Sequence, residues 1–170
     1  QLMGRLCLRL GQPDFAEIQF QTILRSIPNS SSALSGLVDV AMARDDAKQA
    51  QQLARKILRH DPLSIVGHLA LAHAFEADGL HTEAMNVLAK LVRLFPNDAS
   101  ARYHWGRCLL KHGDLDQGWP AMTYVYDAGA HVKPDLSSPW WTGEAVDHLL
   151  VIGDQGLGDT IMLGRFLYTA

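Results

Sequence analysis

Apolar residues along the first 130 positions recur at helical spacing inside a longer period of 34 residues. Pro28, Pro62 and Pro96 mark that period, each just after an apolar stretch: Ile23-Leu24, Ile57-Leu58, Leu91-Val92. Counting units from Ser31, Ile65 and Ala99, with a partial one before them, places a large apolar residue at Met3, Leu37, Leu71 and Trp105. A mostly small residue follows at Gly4, Val38, Ala72 and Gly106, and another helical turn brings Cys7, Ala41, Phe75 and Leu109. In the second half of each unit a small residue recurs at Ala16, Ala50, Ala84 and Gly118. Phe20, Ala54, Leu88 and Met122 come one turn later, then Ile23, Ile57, Leu91 and Val125. Between the halves stand Gly11, Gly79 and Gly113, with Asp45 in the second unit. The pattern predicts two helices per unit, joined by a tight turn and ended by a proline.

Antiparallel helices approach closely only where small side chains sit at the crossing, and large residues a turn away fill the flanking space. A glycine between the helices supplies the positive backbone dihedral that ends the first, and proline cannot continue the second. One helix pair cannot bury its apolar face alone, so units stack into a solenoid. This resembles the tetratricopeptide repeat (TPR) family over residues 1 to about 130, unit three most closely through Leu71, Ala72, Phe75, Gly79, Ala84, Leu88, Leu91 and Pro96. The expected fold class is therefore all-α, a TPR superhelical solenoid of about four helix-turn-helix units over 1–130. The first unit lacks the start of its first helix, and the array is expected to continue upstream of Gln1. Unit four departs from the pattern: Gly118-Trp119-Pro120 opens its second helix and Ala130 replaces the closing proline. Pro120 reads as an early helix residue, and Trp119 as an end cap over the last unit.

The 170 residues are 48% hydrophobic and 19% charged, a globular balance that excludes a disordered chain. Net charge is −3, against a nucleic-acid-binding role. The imbalance lies in residues 131–170, with 2 basic against 5 acidic residues. No apolar run is long enough to span a membrane. Cys7 and Cys108 form neither a CxxC nor a zinc pattern and read as reduced thiols in a cytoplasmic protein. The eight histidines, His60, His68, His73, His81, His104, His112, His131 and His148, include no pair four apart on one helix, so no metal site is expected.

Beyond Gly129 the 34-residue pattern stops. Residues 131–147, with Pro134, Pro139 and Trp140-Trp141, read as a connector anchored by aromatics. His148-Leu-Leu-Val-Ile152 reads as a buried strand, Gly153–Thr160 as a glycine turn and Ile161–Tyr168 as a helix. Residues 148–170 thus open a strand-turn-helix fragment of an α/β domain. The turn lacks the lysine of a P-loop and is not GxGxxG. Asp154 and Asp159 would repel a phosphate at the helix N-terminus. Asp159 has two readings: a cap of its own helix, or a carboxylate held at the carboxyl end of a strand, where α/β enzymes place ligands. Trp141-Thr-Gly143, Asp154-Gln-Gly-Leu-Gly-Asp-Thr-Ile161 and Arg165-Phe166 resemble the junction in bacterial TPR proteins that carry a heptosyltransferase-like glycosyltransferase domain of GT-B fold. The family writes Glu at Asp154 and usually an aromatic residue at Leu163. The resemblance implies a ligand loop of Gln155, Gly156, Gly158, Asp159 and Thr160, Asp159 as general base, and a nucleotide-sugar donor in an intact enzyme. One strand and one helix are not two Rossmann-like halves. This chain is expected to hold no cofactor and catalyse nothing by itself, the intact protein remaining a candidate glycosyltransferase.

In a TPR array the first helices of successive units line a concave face. Here one row is Arg5, Asp39, His73 and Arg107, flanked by Ser35, Leu69 and Tyr103 and by Leu8, Met42, Glu76 and Leu110. That mixture suits an extended peptide or a protein surface. The carboxylate-clamp TPR proteins use Lys and Asn at such positions. Arg5 and Arg107 without that set argue against chaperone tails. The leading expectation is a scaffold for protein–protein or interdomain contact. Its rivals are the acceptor-recruiting arm of a glycosyltransferase, and self-association through the array ends or the unpaired strand.

Overall fold

The computed structural model describes residues 2–131, with Asp135 and Asp147. The chain divides into two compact units, Gln1–Lys133 and Pro134–Ala170. The expected connector beyond His131, the strand 148–152, the glycine turn and the helix 161–168 lie outside the described residues.

The first unit is a run of α-helices: α1 (Leu2–Arg9), α2 (Pro13–Ser26), α3 (Ser31–Ala43), α4 (Ala47–His60), α5 (Ile65–Ala77), α6 (His81–Leu94), α7 (Ala99–Lys111) and α8 (Leu115–Met122). The local chemistry of their ends repeats as the helices do. Side chains of Ser30, Asp46, Ser64, Asp98 and Asp114 accept hydrogen bonds from the backbone N–H three residues on, at 2.7–3.3 Å. Each such cap is worth about 1 kcal/mol.

α1, α3, α5 and α7 all end on one device. The residue after the turn donates its N–H to a carbonyl five residues back: Gln12 to Cys7, Asp46 to Ala41, Leu80 to Phe75, Asp114 to Leu109, at 2.8–3.0 Å. The residue before each of these donors is left-handed: Gly11, Asp45, Gly79 and Gly113, with φ of 70°, 57°, 75° and 84°. Asp45 thus adopts the glycine conformation at a steric cost. Asp45→Gly is expected to stabilise the array by about 0.5–1 kcal/mol, net of glycine's greater chain entropy. Denaturant titration checks this, and a loss of stability would mean that the aspartate contributes more than its backbone angle costs. α2, α4 and α6 end before proline, at Ile27, Asp61 and Phe95. All three have left the helical region, with φ between −130° and −136° and positive ψ.

Each helix packs on the next, and α1–α3, α3–α5 and α5–α7 also touch, whereas the even helices do not touch one another. The odd helices therefore form the tighter, concave side. The residues read as small lie where the helices cross: Ala16, Ala50, Ala72 and Ala84 are fully buried, and Gly4, Gly106 and Gly118 are buried. A Cβ on Gly4 would sit 2.6 Å from the Phe20 ring, and one on Gly36 would collide with the same ring. Phe20, 1% exposed, thus fills a slot between two glycines, of which the repeat pattern marked only Gly4.

Unit four needs correction. Pro120 is the sixth residue of α8, not an early one, and the helix ends at Met122 before a 3-10 turn, Thr123–Val125. Pro120 has no N–H to donate to the Asp116 carbonyl, and the helix runs only two residues beyond it. Met122 and Val125 are only half-buried, where Leu88, Ile57 and Leu91 are closed off. Trp119, expected as an end cap, is 62% exposed.

Candidate functional site

The 34-residue period places Arg5, Asp39, His73 and Arg107 at one position of α1, α3, α5 and α7. Two adjoining hollows open beside this row. The one between α3 and α5, about 360 Å³, is lined by Ser35, Val38, Asp39, Met42, Val66, Leu69 and Ala70. The one toward α7 and α8, about 290 Å³, is lined by Glu76, Leu88, Arg107, Leu110, Lys111 and Met122. His73 and His104 line both. A broader depression of about 590 Å³ lies on α4, lined by Gln52, Arg55, Leu58 and Arg59.

His73 Nε2 lies 3.0 Å from His104 Nδ1, one ring donating and the other accepting, with the rings edge-on at 4.7 Å. Burial lowers the pKa of His73, opposed by Glu76 and helped by Arg107. Burial, His73 and Arg107 bring His104 down to about 4. Both rings are therefore neutral at pH 7. Tyr103 stands 5.3 Å from the His104 ring, and the Arg107 guanidinium lies 5.7 Å above the Tyr103 ring. Glu76 faces Lys111 at 3.9 Å. Burial and the Glu76 carboxylate push the Cys108 thiol up to about 11, so it is an unreactive core thiol. The walls of the first hollow strip hydration from Asp39 and raise its pKa, while Arg5 pulls it back.

The lowered histidine pKa values make stability depend on pH. A ring that binds its proton less readily folded than unfolded contributes stability in full above its ordinary pKa of 6.5. That stability is lost as pH falls from 6.5 toward 4. For the half-buried His104 ring solvent limits the loss to about 1–2 kcal/mol. Denaturant titrations at neutral and acidic pH, on wild type and His104→Asn, measure it. The fall should be shallower in the variant, and parallel curves would contradict the linkage.

The structure gathers most of the residues read from the rows. Asp39, Met42, Leu69 and His73 line the first hollow, and His73, Glu76, Arg107 and Leu110 the second. Arg5 lines neither and faces Asp39 through space. Tyr103 is 9% exposed and lines neither; it backs Arg107 from within. The row reading missed His104. It assumed that residues 34 apart face each other, but the odd helices lean so that His73 meets the residue 31 further on. His81 at the start of α6 and His112 just after α7 are also 31 apart, their rings 5.2 Å from each other. A scan for pairs 31 apart would have found both. Val38, Val66, Ala70, Leu88, Lys111 and Met122 were also missed as lining residues. Gln155, Gly156, Gly158, Asp159 and Thr160 lie outside the described residues. Among the described residues no group of three or more His, Cys, Asp or Glu is placed to hold a metal ion. No described helix is long and apolar enough to cross a membrane.

Paired helices with small crossings, a recurrent left-handed turn and a groove lined by the odd helices define an all-α solenoid of helix-turn-helix units. The tetratricopeptide repeat family model matches residues 65–108. A thermophilic TPR protein of Thermus thermophilus superposes with a TM-score of 0.65 at 19% identity, over 76% of this chain and 72% of that one. MamA of Desulfovibrio magneticus RS-1, from residue 41 to its end, superposes with 0.53 at 19%, over 76% and 71%. YrrB, a TPR protein described as having an unusual peptide-binding site, superposes with 0.51 at 21%, over 75% and 66%. At these identities the likeness is one of fold. No curated protein sequence matches the chain.

Proposed function

We propose that the array is an interaction scaffold whose concave face holds an extended peptide segment, of another protein or of another domain. The observation that carries this reading is the pair of adjoining hollows meeting at His73 and His104, with apolar walls and charged rims. Such mixed, concave surfaces suit a chain that presents alternating side chains. The peptide-binding site named for YrrB supports it by analogy of fold.

The test is a display library of random peptides selected on the wild-type chain. Bound peptides are expected to lose about tenfold affinity for Arg107→Glu, at unchanged melting temperature because Arg107 is exposed. Tyr103→Ala serves less well, since it empties a buried position. Equal binding to wild type and Arg107→Glu would move the site off the groove.

The second reading concerns residues 131–170. The run Asp154-Gln-Gly-Leu-Gly-Asp-Thr160 supports a connector at 131–147 and the first strand and helix of a glycosyltransferase-like domain at 148–170, on sequence resemblance alone. In that reading the array recruits an acceptor, Asp159 acts as a base in a longer protein that takes a nucleotide sugar, and this chain alone is not an enzyme. The cysteine usage supports a reducing, cytoplasmic setting. Self-association through the array ends is a further proposal, tested by light scattering over a range of concentrations.

A further inference from the structure

The groove's charges are not equally engaged. Glu76 faces Lys111 at 3.9 Å, and on the outer surface Arg44 pairs with Asp14 and Glu17. Asp39 and Arg107, by contrast, form no ion pair among the described residues. Arg5 faces Asp39 without closing a pair. Arg107 spends one face on Tyr103 and keeps its N–H edges for a ligand.

These two residues hold the same repeat position two units apart, with His73 between them on α5. From α3 to α7 the row runs acid, neutral imidazole, base, with Arg5 on α1 beyond the acid. Each charge sits beside apolar walls: Val38, Met42 and Leu69 near Asp39, and Leu110 and Met122 near Arg107. Both side chains remain exposed, so a charge pair formed there is weakened by salt, while a like charge brought there is penalised.

We propose that the groove binds a peptide that carries both charges, a cationic side chain seating at Asp39 and a carboxylate at Arg107. This rests on the peptide-groove reading and specifies the partner: a segment with one basic and one acidic residue set apart by the distance between the two sites. The neutral His73–His104 pair between the two sites presents no charge to repel either end.

The experiment uses fluorescence anisotropy on the full chain. The probes are short labelled peptides on one Ser/Ala/Leu background. They carry Lys and Glu at several spacings, with Lys/Lys and Glu/Glu pairs and the uncharged Gln control at the same places. At one spacing, the Lys/Glu peptide is expected to bind about tenfold more tightly than the like-charged pairs and the Gln control, the margin shrinking with added salt. Asp39→Lys should move the preference to the Glu/Glu peptide. Equal binding of all the peptides, or a Lys/Glu preference that survives Asp39→Lys, overturns the inference while leaving the groove as a peptide site. Failure of every probe, the Gln control included, to bind wild type overturns both.

Discussion

Gly106→Val is expected to lift α8 from the array and cost about 2–4 kcal/mol. A Cβ at Gly106 would lie 2.6 Å from Ala121 Cβ, 3.1 Å from the Gly118 carbonyl oxygen and 3.2 Å from the Ala121 carbonyl carbon. Two of these are backbone atoms, which no rotamer change can move aside. The contact is tight from the other side too, since a Cβ on Gly118 would fall 2.6 Å from the Leu110 side chain. α8 is short, holds Pro120 and passes at once into a 3-10 turn, so little else secures it. In a solenoid each unit answers mainly to its neighbours, so the damage should stay at that end. Hydrogen exchange should show protection lost over α8 and kept in α4–α6. An unchanged melt with α8 still protected would mean that α7 and α8 cross elsewhere.

Ala84→Leu tests the same rule in the middle, at about 1–3 kcal/mol. Ala84 is fully closed off, in a cluster with Ala50, Ala54, Leu71 and Phe75 that bridges units two and three. The consequence is wider. Loosening a central junction uncouples the units on either side, so the denaturation curve should broaden as well as shift. No shift would place the crossing at another residue.

The sequence was legible wherever a rule repeats. Small residues at 34-residue intervals located the crossings, and the prolines located the ends of α2, α4 and α6 within two residues. Asp45, the exception to glycine in the turn row, proved to share the glycine backbone angle: position, not residue type, dictates that turn. Reading failed where a residue's partner lies outside its own row. Gly36 packs on Phe20 from the next unit, and His104 meets His73 on a diagonal set by how the helices lean. It failed again at α8, where the pattern was extended through Pro120 to Val125 although the helix ends at Met122 and passes into a 3-10 turn. Tyr103 was read as a groove contact because helical spacing gives direction but not depth, and its ring lies beneath Arg107.

The central claim is that the concave face formed by α3, α5 and α7 is the binding surface. An isotope-edited NMR titration of the chain with a peptide selected on it tests this most directly. Resonances of Asp39, Leu69, His73, His104 and Arg107 should shift together and saturate with one dissociation constant. Shifts confined to α4 and α6, around Arg55 and Arg59, would contradict the account.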